Sequence, residues 1–216
     1  MKTLKILAFV LLALTIGCES TNKPDTPGIV VLPAPSSLPK LPYIKISNNI
    51  KFLSALEVWA KIKEHSGNYY YAEDSRYFIP TKQNMDVIVP YLDDVFKELK
   101  IHYIADATDC DDFARLKSEL AQMILGQAYG IEASPTIFVI FVKQKETWAG
   151  VPAGEGHAVC VYVCINEEKG NKVEVYVWEP QSTKVVNVSD YPNKDEIFYV
   201  GQGIEKIATE AVKKDE

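Results

Sequence analysis

The sequence has no excess of positive charge. Its 23 Lys and Arg stand against 29 Asp and Glu, for a net charge of −6. That balance excludes a nucleic-acid partner and an electrostatic hold on an anionic lipid surface. There is no internal repeat, and past the first twenty residues there is no second long apolar run. Cysteine and histidine are scarce, at four and three residues. Cys160 and Cys164 fall four apart on one expected strand, about 13 Å end to end and out of disulfide reach. His65 and His102 stand in no constellation and read as surface or core residues.

What is present begins at the N-terminus. Lys2 and Lys5 precede an apolar run over residues 6–14. That run is shorter than the roughly 20 residues a bilayer span needs, but it fits the apolar core of a secretory signal. It ends at Thr15-Ile16-Gly17-Cys18, which resembles the lipobox of bacterial lipoproteins, with Thr15 where that family usually has Leu. The resemblance implies a signal peptide over 1–17, cleavage before Cys18, lipidation of Cys18 and a lipid-anchored place in the cell envelope. Glu19 is not the Asp that usually marks inner-membrane retention, so the outer membrane is favoured in a two-membrane cell. Residues 18–42 then carry six prolines and a Ser36-Ser37 pair, a density that blocks helix and inner strand and reads as a semi-extended tether. Residues 43–207 are long enough for one domain with a real core, and 208–216 form a charged tail. With Cys18 assigned to lipid, three thiols remain, so at least one is free.

Within the domain, residues 54–65 read as an amphipathic helix with Leu56, Trp59, Ala60 and Ile62 on its apolar face. Residues 69–71 and 77–80 read as short extended pieces. A second helix is expected over 86–99, interrupted or delayed by Pro90, and 101–104 as a short strand. Thr108 is the expected cap of a third helix, with Asp111 in the capping-box position and a buried stripe of Phe113, Leu116, Leu120, Met123 and Ile124. Gly126 or Gly130 lies near its end. Strands are expected over 136–142, 158–165, 173–179 and 197–200, and a frayed helix over 204–216. Helices first and an antiparallel sheet after is an α+β order.

Three pieces of this map converge. Cys110, in Asp109-Cys110-Asp111-Asp112-Phe113, falls in the first turn of a helix, where unpaired N–H groups and the dipole favour negative charge on a thiol. Gly156-His157 opens one strand, and Glu179-Pro180-Gln181 ends the next. A hairpin turn centred near Glu168 brings His157 opposite or diagonal to Glu179. His157 shares a face with Val159, Val161 and Val163, and Cys160 and Cys164 point the other way. A carboxylate that orients an imidazole, which in turn activates a thiol, is the general arrangement for cysteine nucleophiles.

The motifs Asp-Cys-Asp-Asp-Phe, Gly-His-Ala and Glu-Pro-Gln resemble the papain-like cysteine protease domain at the C-terminus of a mushroom agglutinin and its bacterial and phage relatives. The resemblance spans residues 69–181. It implies a papain-like fold, a Cys110-His157-Glu179 triad with Gln181 near the oxyanion, and calcium dependence with Asp111 and Asp112 as the ligands. It further implies hydrolysis of amide bonds, and the expected envelope location makes a peptidoglycan stem peptide as plausible a substrate as a protein or peptide. The agglutinin's lectin repeats are absent, so a glycan-binding role does not carry over. Tyr103 and Ile104 occupy the place of the papain glutamine that precedes the nucleophile. Three aspartates around Cys110 oppose negative charge on it unless a cation neutralises them. The rival readings are an inactive binding or exclusion lipoprotein of the same fold, and metal binding without catalysis through Asp109, Asp111 and Asp112.

Overall fold

The computed structural model describes residues 39–46, 50–64, 70–71, 74–101 and 109–201, with the side chains of 70–71 and 198–201 left aside. All of them fall in the unit Pro35–Glu216. The signal peptide, Cys18, most of the tether, the expected strand at 101–104 beyond Ile101, and the terminal helix and tail lie outside the described residues.

The described chain is α+β, with its three α-helices ahead of β5 to β9, the five strands that make up most of the main sheet. The elements are β1 (Phe52–Ser54), α1 (Ala55–Lys63), β2 (Tyr70–Tyr71), β3 (Arg76–Phe78), α2 (Lys82–Glu98), α3 (Cys110–Tyr129), β4 (Ser134–Pro135), β5 (Ile137–Lys143), β6 (Gly156–Asn166), β7 (Lys172–Trp178), β8 (Val185–Asn187) and β9 (Ile197–Gly201). Six strands form one sheet in the order β2-β9-β5-β6-β7-β8. Its pairs are antiparallel apart from β2 with β9. A small second sheet, β1-β3-β4, was not expected from the sequence, nor was β8. No described helix is long and apolar enough to cross a membrane.

The central strand β6 is buried at every residue after Gly156, because both of its faces are covered. Val159, Val161, Val163 and Ile165 join Phe138, Ile140, Val142, Val175 and Val177 in the main core with Val58, Ile62, Trp148 and Tyr191. On the other face Cys160 Sγ donates to Ala114 O of α3 at 3.2 Å, and Gln122 Nε2 of α3 donates to Ile137 O at 3.0 Å. A strand buried on both faces reads as a continuous apolar run, which is what residues 158–165 are.

The helices depart from expectation in instructive ways. Ser54 caps α1 through a capping box with Glu57, and the residues α1 buries are Val58 and Ile62. Leu56 is 71% exposed, so the inward stripe keeps Ile62 but is rotated by about a third of a turn from the expected one. Helix α2 starts at Lys82, capped by Thr81, and runs through Pro90 without a break. Pro90 and Asp86, the residue whose carbonyl loses its bond, are both exposed, so water replaces the missing N–H and the cost stays local. The cap of α3 is Asp109, with Asp112 as its box partner, one residue later than the Thr108–Asp111 pair. Gly130, at φ +63°, ends α3 in the left-handed conformation, and Gly126 lies inside the helix.

Candidate active site

The first turn of α3 and the first residues of β6 lie side by side. The Cys160–Ala114 hydrogen bond fixes the two elements against each other. One helical turn back from Ala114 is Cys110, and three residues back from Cys160 is His157. The β6–β7 register pairs Cys160 with Trp178, so one further step sets Glu179 across from Val159 and diagonal to His157. The turn that does this is Glu167–Lys169 with Gly170 and Asn171 at positive φ, centred within a residue of Glu168.

His157 is 3% and Glu179 1% exposed. Their side chains meet at 2.6 Å between Nε2 and Oε2. An ionised carboxylate only accepts, so Nε2 carries the proton. That leaves Nδ1 as the ring nitrogen free to meet the Cys110 thiol, which acts on the imidazole by hydrogen bonding and by charge. Burial alone would pull His157 down; the hydrogen bonds to Cys110 and Glu179, with the charges of both, outweigh it and push the imidazole up to about 9.

Glu179 is itself held from behind. Its Oε1 accepts the Gln181 N–H at 3.0 Å. Its carbonyl accepts the Ser182 N–H, and its own N–H reaches Lys184 O. Glu179–Ser182 is thus a β-turn with Pro180 at the position where its fixed φ is favoured. Gln181 meets Glu179 through its backbone N–H, and its side chain is exposed.

Among the described thiols Cys110 alone is half-buried; Cys160 and Cys164 are fully buried and free. Burial raises both, Cys164 to about 12, so neither competes as a nucleophile.

The acidic residues around Cys110 work chiefly as caps. Asp109 accepts the Asp111 N–H, and Asp112 Oδ2 accepts the Asp109 N–H. Asp112 also lies 3.9 Å from Arg115. A hydrogen bond to Asp109, burial and the charges of Asp109 and Asp112 push Asp111 up to about 6. The hydrogen bond to Asp111 holds Asp109 down, so the two carboxylates titrate as a pair. The ligand atoms that converge, within 4.8 Å of one another, belong to Asp109, Cys110 and Asp111. Asp112, the other expected ligand, is not part of that group. Two carboxylates and a soft thiol fall short of the six to eight oxygens of a calcium cage, so the described residues do not fit that ion.

Three further residues bear on the site and were not read from the sequence. Lys117 is 1% exposed, lies 3.2 Å from Asp93 on α2 and faces the rings of Phe96 and Phe113. Burial lowers its proton affinity, opposed by Asp93, Cys160 and Glu179. It occupies the inner stripe of α3 with Phe113, Ala114, Leu120, Ala121 and Leu125, a helical period that could have flagged it. Leu116 and Met123, expected in that stripe, are half-buried. Asn193 is fully buried; its amide accepts from the Lys145 and Glu146 N–H groups and donates to Gln144 Oε1 and Glu146 O. That pins the loop leading from β5 to His157. Tyr191 packs edge-on against Trp148 within electrostatic reach of Glu179.

By sequence the chain matches no family model and no curated protein. In fold it is similar to solved structures of a mushroom lectin. One, titled as a complex of PSL1a with E64, gives a TM-score of 0.50 at 18% identity, covering 69% of this chain and 50% of that one. The other is the Polyporus squamosus lectin bound to the human-type influenza-binding epitope Neu5Aca2-6Galb1-4GlcNAc. It gives a TM-score of 0.50 at 15% identity, covering 69% of this chain and 49% of that one. At such identity the likeness speaks to the fold alone, and this chain matches about half the length of those structures.

Proposed function

We propose that this chain is a papain-like cysteine hydrolase of amide bonds, lipid-anchored through Cys18 in the cell envelope. The observation that carries the reading is the buried His157 imidazole joined to the Cys110 thiol on one side and the Glu179 carboxylate on the other. A thiol alone at a helix start is commonplace; a thiol, an imidazole and a carboxylate in series, from three separate elements, is what nucleophilic catalysis requires.

The thiol proton passes to His157 Nδ1, giving a thiolate beside an imidazolium, and Glu179 steadies that charge at Nε2. The thiolate attacks the substrate carbonyl, and the carbonyl electron pair moves to oxygen. The N–H groups of Asp111 and Asp112 are taken by the Asp109 cap. The Cys110 N–H, an orphan donor of the helix start, is left as the backbone donor to that oxyanion. Collapse of the intermediate expels the amine, which takes the proton from His157. Water, deprotonated by His157, then cleaves the thioester and regenerates the thiol. A peptide or a peptidoglycan stem peptide is the substrate class that an envelope location favours.

The test is the rate at which the mature domain is alkylated by iodoacetamide and by E64, an epoxide that reacts with activated thiols. We expect one modification, at Cys110, faster than an ordinary exposed thiol at neutral pH. Cys110→Ala should abolish it and His157→Ala should slow it by at least tenfold. Labelling of the parent no faster than a free thiol, and unchanged in His157→Ala, would leave a binding or exclusion scaffold of the same fold.

A further inference from the structure

Among the residues that α3 buries, Lys117 alone is charged. It lies in the inward stripe that begins at Cys110 and runs through Phe113 and Ala114. Its stem leans back toward the start of the helix, as helical side chains do. Nζ lies 5.9 Å from the centroid of the Phe113 ring, one turn earlier, and 4.8 Å from that of Phe96 on α2. That earlier turn also carries Ala114, whose carbonyl accepts from the Cys160 thiol. Cys160 pairs with Trp178, and Glu179 is the next residue. The ammonium is thus carried back toward the end of the sheet at which Glu179 stands, within reach of Cys160 and Glu179.

Packing alone does not account for this charge. An aliphatic chain of the same volume would fill the space between Phe96 and Phe113 without the cost of burying an ion. Nζ has three donors and, among the described residues, one hydrogen bond, to Asp93 Oδ1 at 3.2 Å. Asp93 is itself divided, because its Oδ2 meets Lys97 at 2.6 Å. Lys97 is 70% exposed and also lies 4.0 Å from Asp94, where water screens both. From β6 the titratable group facing Lys117 is Cys160, which burial keeps protonated. From β7 it is Glu179.

Glu179 has the complementary deficit. It is 1% exposed, and its charge is answered only while His157 is protonated. In the proposed cycle His157 gives its proton to the leaving amine. Glu179 is then a buried anion held by the N–H groups of His157 and Gln181. Tyr191, the other titratable group near it, stays neutral because burial pushes its hydroxyl up.

We infer that Lys117 is a positioning residue of the proposed site: its buried ammonium keeps Glu179 ionised while His157 is neutral, so that the carboxylate goes on holding the imidazole with Nδ1 free for the next proton. The inference rests on the proposed triad. It assigns the counterion for one stage of the cycle to a side chain that touches neither substrate nor thiol. Removing the positive charge makes an ionised Glu179 beside a neutral His157 harder to keep, so the imidazole holds its proton to higher pH.

The test follows the His157 titration by NMR in the full chain, with isotope-labelled histidine and a non-ionic detergent. His157→Ala identifies its signal among the three histidines. Lys117→Met keeps the volume and loses the charge. We expect it to raise the His157 midpoint from about 9 by about half a pH unit or more, and Lys117→Arg to undo most of that shift. Lys117→Gln is read alongside, so that the outcome does not hang on one variant's folding, which thermal melts check. An unmoved midpoint in a folded, charge-free variant would overturn the inference and leave Lys117 as a structural partner of Asp93. So would a shift that Lys117→Arg reproduces in full, since packing and not charge would then be its cause. If Cys110 of the parent is alkylated no faster than a free thiol while the midpoint still moves, the hydrolase reading falls alone. Lys117 would then still govern the Glu179–His157 pair.

Discussion

Replacing Glu179 by Gln tests the electrical logic of the site with almost no change in shape. Glu179 accepts two hydrogen bonds, from His157 Nε2 and the Gln181 N–H. An amide can accept only one of them with its oxygen and turns a donor toward the other. The substitution therefore costs a buried bond at any pH, about 1 kcal/mol. It also removes one of the two partners that hold His157 protonated, the other being Cys110. The rise of His157 from 6.5 to about 9 corresponds to roughly 3 kcal/mol at about 1.4 kcal/mol per pH unit. The Cys110 side contributes part of that, so the variant should lose about 2 kcal/mol of it. A pKa raised by folding stabilises fully below the unfolded value near 6.5, and the contribution disappears as pH rises through about 9. Parent and variant should thus differ by about 3 kcal/mol at pH 6 and by about 1 kcal/mol at pH 10. Urea unfolding followed by tryptophan fluorescence at the two pH values measures both gaps. Taking the difference cancels titrations that Glu179 does not touch. A gap that is constant or widens toward pH 10 would refute the picture of a buried, Glu-held imidazolium.

Asp93→Ala leaves the buried Lys117 ammonium without its partner and should cost about 3 kcal/mol. Lys117→Met, which removes the charge and fills the space between Phe96 and Phe113, should cost under about 1 kcal/mol; equal losses in thermal unfolding would show that the pair is not desolvated. Asn193→Ala strands two N–H groups and two acceptors and should cost about 3 kcal/mol. It should also slow alkylation of Cys110, since the loop it pins leads into His157; a variant that melts early yet keeps its labelling rate would make Asn193 purely structural. Millimolar calcium should move the melting temperature by less than about 2 °C, because the described carboxylates do not complete a calcium site; a larger rise would point to ligands beyond the described residues.

The strands were legible because their patterns obey one rule each. The β6–β7 hairpin could be placed to within a residue because Asn166 to Lys172 is polar between two valine-rich runs, and register fixes every side chain's face. That one inference carried His157 and Glu179 to the same mouth. What escaped notice has physical reasons. The exact cap of α3 was missed because Thr108, Asp109, Asp111 and Asp112 all suit capping, and only geometry chooses Asp109. Pro90 misled because its effect depends on which side of the helix it faces, and it faces water. Leu56 misled because a short helix with apolar residues on more than half its circumference does not declare which stripe is inward. Asn193 carried no signal, since its role comes from backbone groups nearly fifty residues earlier in the chain.

The aspartates beside Cys110 are the point at which sequence and structure argue most directly. Read as three full negative charges, Asp109, Asp111 and Asp112 oppose a thiolate strongly enough to demand a neutralising cation. Their geometry lowers that demand in three steps. Asp111 is pushed up to about 6 while Asp109 is held down, so near pH 6 the pair carries about one and a half charges. Asp112 turns its carboxylate back to the Asp109 N–H and toward Arg115, outside the convergent group. The dipole of a 20-residue helix then sets positive potential against what remains. Together these lower the countercharge that a thiolate beside the cluster requires, most of all at and below pH 6. The balance depends on the proton at Asp111, however, so alkylation of Cys110 in Asp111→Asn, which keeps the hydrogen bond without the second charge, should proceed at least as fast as in the parent above pH 6. A marked slowing there would mean that Asp111 supplies negative charge the site requires, and the case for a bound cation would reopen.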